Sequence, residues 1–247
     1  MKKFAHDTIV PNKQSELNKK QQIAAMFNNI AFRYDFLNRF LSLGIDISWR
    51  KKAINQLKDI NPQYVLDVAT GTADMPLLLY KKLHTPAIVG IDISKDMLAI
   101  GKSKIEKNKL QQYIQLQEGD SEKINFSDNT FDAVTVAFGV RNFEHLELGL
   151  QEIYRVLKMN GKLVVLEFSQ PKKTMFSGLY KLYMNSIAPN FGKYFTKNKE
   201  AYQYLHSSIQ AFPEGNVFLG IMENVGFKNV YLKKLSLGIC TIYCGTK

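Results

Sequence analysis

The amino-acid sequence predicts a doubly wound α/β fold with a mostly parallel sheet. Five short apolar segments alternate with helical patterns between residues 64 and 168, an alternation typical of parallel strands covered by helices on both faces. A turn of small residues follows the first segment, at the edge where such sheets bind ligands. Two further apolar segments near the C-terminus, about 229–235 and 239–246, predict a hairpin and so at least one antiparallel strand.

The strands and helices follow from local composition. The five parallel strands are predicted at 64–68, 87–93, 113–118, 131–137 and 162–168. One helix should begin near Asp74, and Ser94 should cap the next. A third helix is expected over 148–159, with Asn160-Gly161 ending it in a left-handed conformation. A last helix is expected over 216–225, ended by Gly226.

The chain divides into three parts. Residues 1–20 are polar and rich in lysine, and they are expected to be a mobile basic N-terminus. Apolar residues at helical spacing over 21–43 predict two short helices or one broken helix. Together with another helix over 49–57 they form an N-terminal helical lid, 21–60. The main domain, 61–247, carries a helical insertion over 170–212, after the fifth strand.

The composition narrows the range of possible partners, locations and functions. Lysine and arginine total 33 against 22 acidic residues, a formal charge of +11, which favours anionic partners or a well-solvated lysine-rich surface. No signal peptide and no run of about 20 apolar residues is seen, so we expect a cytoplasmic protein that touches a membrane, if at all, from one side. Cys240 and Cys244 are expected to be buried thiols, and no metal site is predicted.

The turn after the first strand predicts a cofactor site. Gly71 lets the backbone approach a ligand closely, and Thr72 offers a hydroxyl and an amide. Asp92 ends the second strand about twenty residues further on, where a carboxylate accepts hydrogen bonds from ribose hydroxyls. The spacing does not match a dinucleotide fingerprint. Asp67, which closes the first strand, suits a cationic amino group instead, as in adenosine with a methionine tail.

A third element follows the third strand and completes this prediction. Asp120 is placed to accept a hydrogen bond from the adenine amino group, and the Ser121 backbone to contact the ring. An ordinary polar loop is the alternative for this segment alone. Combined with the first two elements, it predicts an S-adenosylmethionine site.

Two groups of motifs lie along the chain. The first comprises Asp67-Val-Ala-Thr-Gly-Thr-Ala-Asp74, Gly90-Ile-Asp92, Gly119-Asp120 and Glu152–Gly161. The second comprises Tyr34-Asp35-Phe-Leu-Asn38, Ser42-Leu-Gly44 with Trp49-Arg50, Phe138-Gly139-Val-Arg141-Asn142, and Ser207–Pro213. The first group resembles class I methyltransferases, and the second more specifically resembles the quinone C-methyltransferases of menaquinone and ubiquinone synthesis. The resemblance covers the chain from about residue 20 and implies a Rossmann-like class I methyltransferase sheet. Ala73 replaces a third glycine common in the class, and Ala137 a serine found in many members.

The resemblance implies the reaction and the residues that serve it. A ring carbon of a demethylated quinol, a lipophilic substrate, would accept the methyl group. Arg141 is expected to stabilise a phenolate or polarise a water, and Asn142 to orient the quinol oxygen. Residues Tyr34, Asp35 and Asn38 are expected to shape the lid, and His206 is a candidate base. Salt bridging for Arg141, and helix packing or a structural role for the others, are the alternatives.

The aromatic insertion would form the wall for an isoprenoid tail, with ordinary core packing as the alternative. Its interleaved lysines would rest on an anionic membrane surface. Demethylmenaquinol is the favoured acceptor, with the ubiquinone precursor or both as alternatives. A nucleic-acid methyltransferase is disfavoured, because the Asn/Asp-Pro-Pro-aromatic motif is absent after the fourth strand. A non-catalytic assembly protein is the remaining alternative, and the oligomeric state stays open.

Overall fold

A computed structural model describes residues 4–170 and 199–247 of the chain. Within them lies one seven-stranded sheet in the order β3-β2-β1-β4-β5-β7-β6, in which β7 runs antiparallel to the other six strands. This confirms the predicted fold class and the antiparallel C-terminal strand. The strands are β1 (Tyr64–Val68), β2 (Ala87–Asp92), β3 (Ile114–Glu118), β4 (Phe131–Ala137), β5 (Leu157–Phe168), β6 (Lys228–Leu235) and β7 (Cys240–Thr246).

Burial explains which segments lie at the centre of the sheet. Strands β1 and β4, and β5 from Gly161 onward, are mostly apolar and are buried on both faces, as parallel strands between helices must be. Strand β3 is at one edge, and there Ile114 and Leu116 are buried while Gln115 and Gln117 are exposed. Cys240 and Cys244 are buried free thiols on β7, as predicted.

Seven α-helices surround this sheet within the described ranges. They are α1 (Lys19–Leu41), α2 (Ile45–Ile54), α3 (Asp74–Leu83), α4 (Lys95–Lys107), α5 (Leu146–Val156), α6 (Lys199–Ala211) and α7 (Asn216–Val225). The Ser94 side chain accepts a hydrogen bond from the Met97 amide, so Ser94 caps α4 as predicted. None of the described helices is long and apolar enough to cross a membrane.

Helix α5 is shorter than the sequence predicts. It ends at Val156, because Leu157 is already extended and pairs with Phe131 of β4. The predicted helix over 148–159 is therefore wrong at its C-terminal end. Asn160 does take a left-handed conformation, φ +64°, but it lies inside β5, where its amide donates to the carbonyl of Lys247.

Helix α1 is one continuous helix of 23 residues, whereas the sequence suggested two short helices or one broken helix. Its sequence contains no glycine and no proline to interrupt it. Asn18 begins it with a capping box, in which the Asn18 side chain accepts from the Gln21 amide and the Gln21 side chain accepts from the Asn18 amide.

Part of the N-terminal segment expected to be mobile lies packed against the domain. His6 is fully buried, and Lys19 Nζ donates to the carbonyls of His6 and Phe143 at 2.8 and 2.9 Å. Of the predicted insertion 170–212, residues 171–198 lie outside the described residues, and with them most of its aromatic and lysine side chains. Residues 199–211 form α6, and Tyr204 and Phe212 are buried.

Candidate active site

Two adjoining cavities lie at the carboxyl edge of the parallel strands. The smaller has a volume of about 70 Å³ and a polar rim, and the larger has a volume of about 460 Å³ and mainly apolar walls. Three aromatic residues, Phe27, Tyr34 and Phe138, line both. Phe138 has a φ of +61°, a conformation that bulky residues rarely adopt and that tends to occur at functional sites. The Phe138 ring thus lies between the small cavity and the large one.

The turn from β1 to α3 forms one wall of the small cavity. Gly71 lies there with a φ of +56°, a region in which a side chain is disfavoured. Its amide donates to Asp92 Oδ2 at 2.8 Å, and the Ser94 amide donates to Asp92 Oδ1 at 2.9 Å. Burial raises the pKa of Asp92. The carboxylate is therefore fixed by two backbone donors while it faces the cavity.

The opposite wall comes from the segments after β3 and β4. Asp120 and Ser121 line it, together with Gly119 and Gly139. A Cβ on Gly139 would lie 2.7 Å from the Cβ of Ala69, so only glycine lets the two strand ends approach this closely. The predicted elements at Gly71, Asp92, Asp120 and Ser121 thus meet around one cavity.

Asp67 lies behind this cavity rather than on its wall. It is 1% exposed and accepts a hydrogen bond from Thr135 Oγ1 at 2.6 Å. Burial raises its pKa to about 6. Its contact with a cofactor amino group therefore stays a prediction, and the position of Asp67 behind the wall does not support it.

This carboxyl group makes the fold's stability depend on pH. The pKa of Asp67 in the fold, about 6, exceeds the unfolded value of about 3.9. The protonated carboxyl group therefore makes its full contribution to the free energy of unfolding below pH 4, and this contribution is lost as pH rises through 6. We expect Asp67→Asn to raise the free energy of unfolding by about 1–3 kcal/mol at pH 8 and to change nothing at pH 4. Urea unfolding without cofactor measures both. Equal effects at the two pH values would contradict this explanation.

A matched control lies on the same sheet. Asp132 of β4 accepts hydrogen bonds from the Tyr64 amide and from Lys158 Nζ, at 2.8 and 2.7 Å. Because these bonds favour the charged form, Asp132→Asn should lower stability at pH 8, the opposite sign.

Helix α1 covers the small cavity and is fixed to its rim by polar contacts. Lys20 Nζ lies 2.6 Å from Asp120 Oδ2 and 3.3 Å from Glu122 Oε2. Ser94 Oγ and Asn28 Oδ1 are 2.6 Å apart. Further contacts join Asp35 to Thr72 and Lys104, and Arg39 to Asp74. A volume of about 70 Å³ is below the roughly 300 Å³ of a typical small-molecule site, so α1 must shift to admit a nucleoside-sized ligand.

Lys20 is therefore expected to hold the lid closed. A partly buried ion pair contributes about 1 kcal/mol, so Lys20→Met should speed dissociation of S-adenosylmethionine about fivefold. Stopped-flow fluorescence of the single tryptophan, Trp49, measures this rate. Lys95→Met is the control, since Lys95 pairs with Glu118, and both side chains are largely exposed at the surface. Identical rates in the two variants would show that the Lys20 contact does not limit opening.

Arg141 lies on the wall of the large cavity and is held in place by a buried carboxylate. Its Nη1 donates to Glu167 Oε1 at 2.7 Å and to the carbonyl of Phe138 at 2.6 Å. Burial raises the pKa of Glu167. The Nε of Arg141 is buried and has no hydrogen-bond partner among the described residues. The salt bridge considered as an alternative is thus present, and it orients a cation that also faces the cavity.

Asn142 is next to Arg141 but lines the small cavity. Its Oδ1 accepts a hydrogen bond from Tyr204 Oη at 3.0 Å, and burial raises the pKa of Tyr204. The turn Val140–Asn142 therefore places one polar residue in each cavity. Tyr34 lines both cavities, and Asn38 lines the large one.

Three other predicted site residues do not line either cavity. Thr72 Oγ1 donates to Asp35 Oδ1 and accepts from Lys104 Nζ, so both residues join α1 to the body of the domain. His206 is exposed, and its Nε2 lies 2.9 Å from the side chain of Gln210. The expectations that Thr72 contacts the cofactor and that His206 is a base are therefore not supported by position.

Two residues of this site have no counterpart in the sequence prediction. Lys20 has no local signal, since its partners lie about 100 residues away along the chain. Glu167 does have a local signal that could have identified it. It is a lone carboxylate near the end of an apolar strand, and buried charges are rarely left unpaired.

The ubiE/COQ5 methyltransferase family matches residues 15–247. A protein named demethylmenaquinone methyltransferase from Bacteroides fragilis is 46% identical over 229 residues, 93% of this chain and 94% of the relative. One named ubiquinone/menaquinone biosynthesis C-methyltransferase from Geotalea uraniireducens is 44% identical over 232 residues, 93% of this chain and 97% of the relative.

Among solved structures, an S-adenosylmethionine-dependent methyltransferase from Thermotoga maritima, titled a possible histamine N-methyltransferase, aligns with a TM-score of 0.61 at 17% identity. It covers 90% of this chain and 99% of that one. At this identity the likeness shows the fold alone.

The small cavity suits the cofactor of this family. Asp92 and Asp120 present carboxylates for hydroxyl and amino groups, and the turn at Gly71 has no side chain to block a ligand. Both features come from residues that the sequence itself singled out. The chain therefore belongs to the ubiE/COQ5 methyltransferase family and is an S-adenosylmethionine-dependent methyltransferase.

Proposed function

We propose that the protein methylates a ring carbon of demethylmenaquinol to give menaquinol. The observation that carries this is the pair of cavities with a shared aromatic wall at Phe27, Tyr34 and Phe138. The small polar cavity suits the methyl donor, and the large apolar one suits a quinol with a hydrocarbon tail. The names of the relatives agree with this acceptor.

The chemistry needs a nucleophilic carbon next to an electrophilic methyl group. S-adenosylmethionine supplies that methyl group on a sulfonium. A phenol has a pKa of about 10, and its phenolate raises electron density on the adjacent ring carbon. The guanidinium of Arg141, fixed by Glu167, stabilises that negative charge without having to reorganise. The phenolic proton passes to water, because the guanidinium stays protonated. Once the ring carbon carries the methyl group, its own hydrogen would leave as a proton to water, which restores the aromatic ring.

Positioning is the other contribution of the chain. The aromatic wall fixes where the two cavities touch. Asn142 lines the small cavity, and its amide is oriented by Tyr204, which lines the large one. Alignment of two reactants within such a site contributes several kcal/mol to lowering a barrier. Helix α1, once it closes over the bound cofactor, would exclude water from the reacting centre.

Incubation of the pure protein and S-adenosylmethionine with demethylmenaquinol, and separately with the demethylated ubiquinone precursor, tests the proposal. Mass spectrometry should show one added methyl group on the naphthalene ring. Transfer only to the benzoquinol would replace the acceptor by the alternative one, and transfer to neither would overturn the proposal. Nucleic-acid methylation is not proposed, since the relatives carry quinone names.

We further propose that the mouth of the large cavity rests on a lipid bilayer. Leu43, Ile45 and Leu237 line this cavity and are 72%, 44% and 65% exposed. Phe32 and Phe36, one turn apart on α1, are 94% and 59% exposed. Apolar side chains at the mouth of an apolar cavity suit the interfacial region of a membrane, where a lipid-tailed substrate resides.

Co-sedimentation with phosphatidylglycerol vesicles tests this surface. Serine at Leu43, Ile45 and Leu237 together, the three exposed residues that line the cavity, should reduce binding at least tenfold, because each side chain buries apolar area in the bilayer. The control replaces Met159 and Val217, which are 66% and 60% exposed but do not line the cavity. Equal binding by both variants would exclude this face.

A further inference from the structure

The large cavity contains a second buried arginine that the mechanism above does not use. Arg50 of α2 is 5% exposed and lines the cavity. Its guanidinium carbon lies 4.9 Å from the centroid of the Phe138 ring, within the range of a cation–π interaction. An arginine in a mainly apolar wall loses its hydration, so its position calls for a compensating partner.

Among the described residues, the ion-pair partner of Arg50 is a weak one. Its Nε has no hydrogen-bond partner among the described residues, and it lies 3.8 Å from Asp46 Oδ2, beyond hydrogen-bonding distance. That carboxylate is already contacted by Arg39 and accepts from Ser42 Oγ at 2.8 Å. Arg141 by contrast has Glu167 at 2.7 Å. Arg50 therefore retains donors that no described residue engages closely.

The two arginines lie on a common aromatic surface. The rings of Phe138 and Phe168 pack as a tilted pair, with centroids 4.6 Å apart and an angle of 31° between their planes. Arg50 lies over the first ring, and the guanidinium carbon of Arg141 lies 5.6 Å from the centroid of the second. Trp49 lies beside both rings and is fixed by a hydrogen bond to Ser236. Each ring of this pair thus has one arginine beside it.

Electrostatic neutralisation alone does not account for Arg50. Its charge acts against the rise in the pKa of Asp67 that burial causes, and it favours the charged form of Asp74. Both effects act through space and leave the donors of the guanidinium unused. A lysine would supply the same charge, whereas the flat guanidinium stacks on a ring and presents several donors in one plane.

We propose that Arg50 binds the second oxygen of the quinol ring, the one beside the hydrocarbon tail, while Arg141 binds the oxygen next to the reacting carbon. This assignment rests on the proposed function, since it concerns how that same acceptor is held. The two oxygens lie on opposite sides of the quinol ring, and each would then contact one of the two guanidinium groups beside the Phe138–Phe168 pair. Arg50 is thus a specificity-determining residue that selects acceptors with two ring oxygens.

The test compares two ligands in the presence of S-adenosylhomocysteine, which prevents turnover. One is the prenylated 1,4-naphthalenediol, kept reduced under anaerobic conditions, and the other lacks only the oxygen beside the tail. Calorimetry should show that the wild type binds the diol about 10- to 100-fold more tightly, as expected for a hydrogen bond to a charged group. In Arg50→Met this preference should fall to less than threefold.

Two further variants separate this role from a structural one. Arg39→Met removes the other arginine that contacts Asp46 but does not line the cavity, so it should keep the preference. Arg50→Lys keeps the charge and should retain part of the preference. It takes the place of Arg50→Met in the test if that variant fails to fold. An Arg50 variant that folds and binds S-adenosylhomocysteine yet keeps the full preference would overturn the proposal.

Failure of the proposed function is distinguishable from failure of this inference. A wild type that methylates demethylmenaquinol but binds both ligands equally would overturn the role of Arg50 alone. A wild type that binds neither ligand and methylates no quinol would overturn both.

Discussion

Replacement of Arg141 by methionine is expected to reduce the rate of methyl transfer by about 10²- to 10³-fold, the usual effect of removing a group that stabilises an oxyanion. The reason is the position of the guanidinium, buried on the wall of the large cavity and bonded to Glu167 and to the Phe138 carbonyl. Single-turnover kinetics with saturating S-adenosylmethionine measures the effect. Affinity for S-adenosylmethionine should change less than twofold, because Arg141 does not line the small cavity.

The variant needs a background that protects the fold. Methionine at position 141 alone would leave the fully buried Glu167 without its ion-pair partner, with hydrogen bonds only from the amides of Phe168 and of position 141, and breaking a buried ion pair costs about 3–5 kcal/mol. We therefore compare Arg141→Met/Glu167→Gln with Glu167→Gln. The second variant keeps the guanidinium in the cavity and should retain most activity. Methylation at the Glu167→Gln rate by the double variant would refute the catalytic role of Arg141.

The pH dependence of the reaction gives a second readout for Arg141. A cation beside the phenol favours its ionised form, so removal of that cation should move the acid limb of the pH–rate profile toward higher pH. A variant that is slow only because the site is distorted would keep the shape of the pH–rate profile and show a lower rate at every pH. The shape of the curve therefore separates charge stabilisation from positioning.

The fold could be predicted from the sequence because its signals are local. Each parallel strand is a short apolar run bounded by turn residues, and burial on both faces demands that composition. The end of α5 could not be predicted in this way. Residues 157–159 suit a helix locally, but Leu157 pairs with Phe131, a residue 26 positions earlier, and sheet pairing outweighs local preference there.

The candidate site was predictable where a residue lies directly at a strand end. Gly71, Asp92, Asp120 and Ser121 follow β1, β2 and β3, and the topology alone brings them to one edge. The contacts with α1 could not be predicted, because a helix can cross that edge of the sheet in many ways. The pairing of Lys20 with Asp120, and that of Asp35 with Thr72, depend on that crossing.

Asp67 and Thr72 show a second limit of sequence patterns. Both belong to the turn that marks the cofactor site, yet they are 1% and 2% exposed and do not line the cavity. Their hydrogen bonds go to Thr135 and Asp35. A motif defines a local backbone shape, while the direction of each side chain depends on neighbours far along the chain.

Replacement of Asp92 by alanine is expected to weaken binding of S-adenosylmethionine at least 100-fold. The carboxylate faces the small cavity, and hydrogen bonds from ligand hydroxyls to a charged group contribute about 1.5–3 kcal/mol each. The same carboxylate accepts from the Gly71 and Ser94 amides at 2.8 and 2.9 Å. Its removal therefore also releases the turn that forms the cavity wall. Calorimetric titration with S-adenosylmethionine and with S-adenosylhomocysteine measures the loss, which should be similar for both because they share the ribose.

The control is Asp96→Ala, an exposed aspartate four residues further along, in the first turn of α4. It removes the same charge at nearly the same place but does not line the cavity, so its affinity should stay within twofold of the wild type. A comparable loss in Asp96→Ala would attribute the effect to long-range charge. A loss confined to Asp92→Ala, at both 50 and 500 mM salt, is a local effect of that carboxylate, because screening would weaken a long-range effect at the higher concentration.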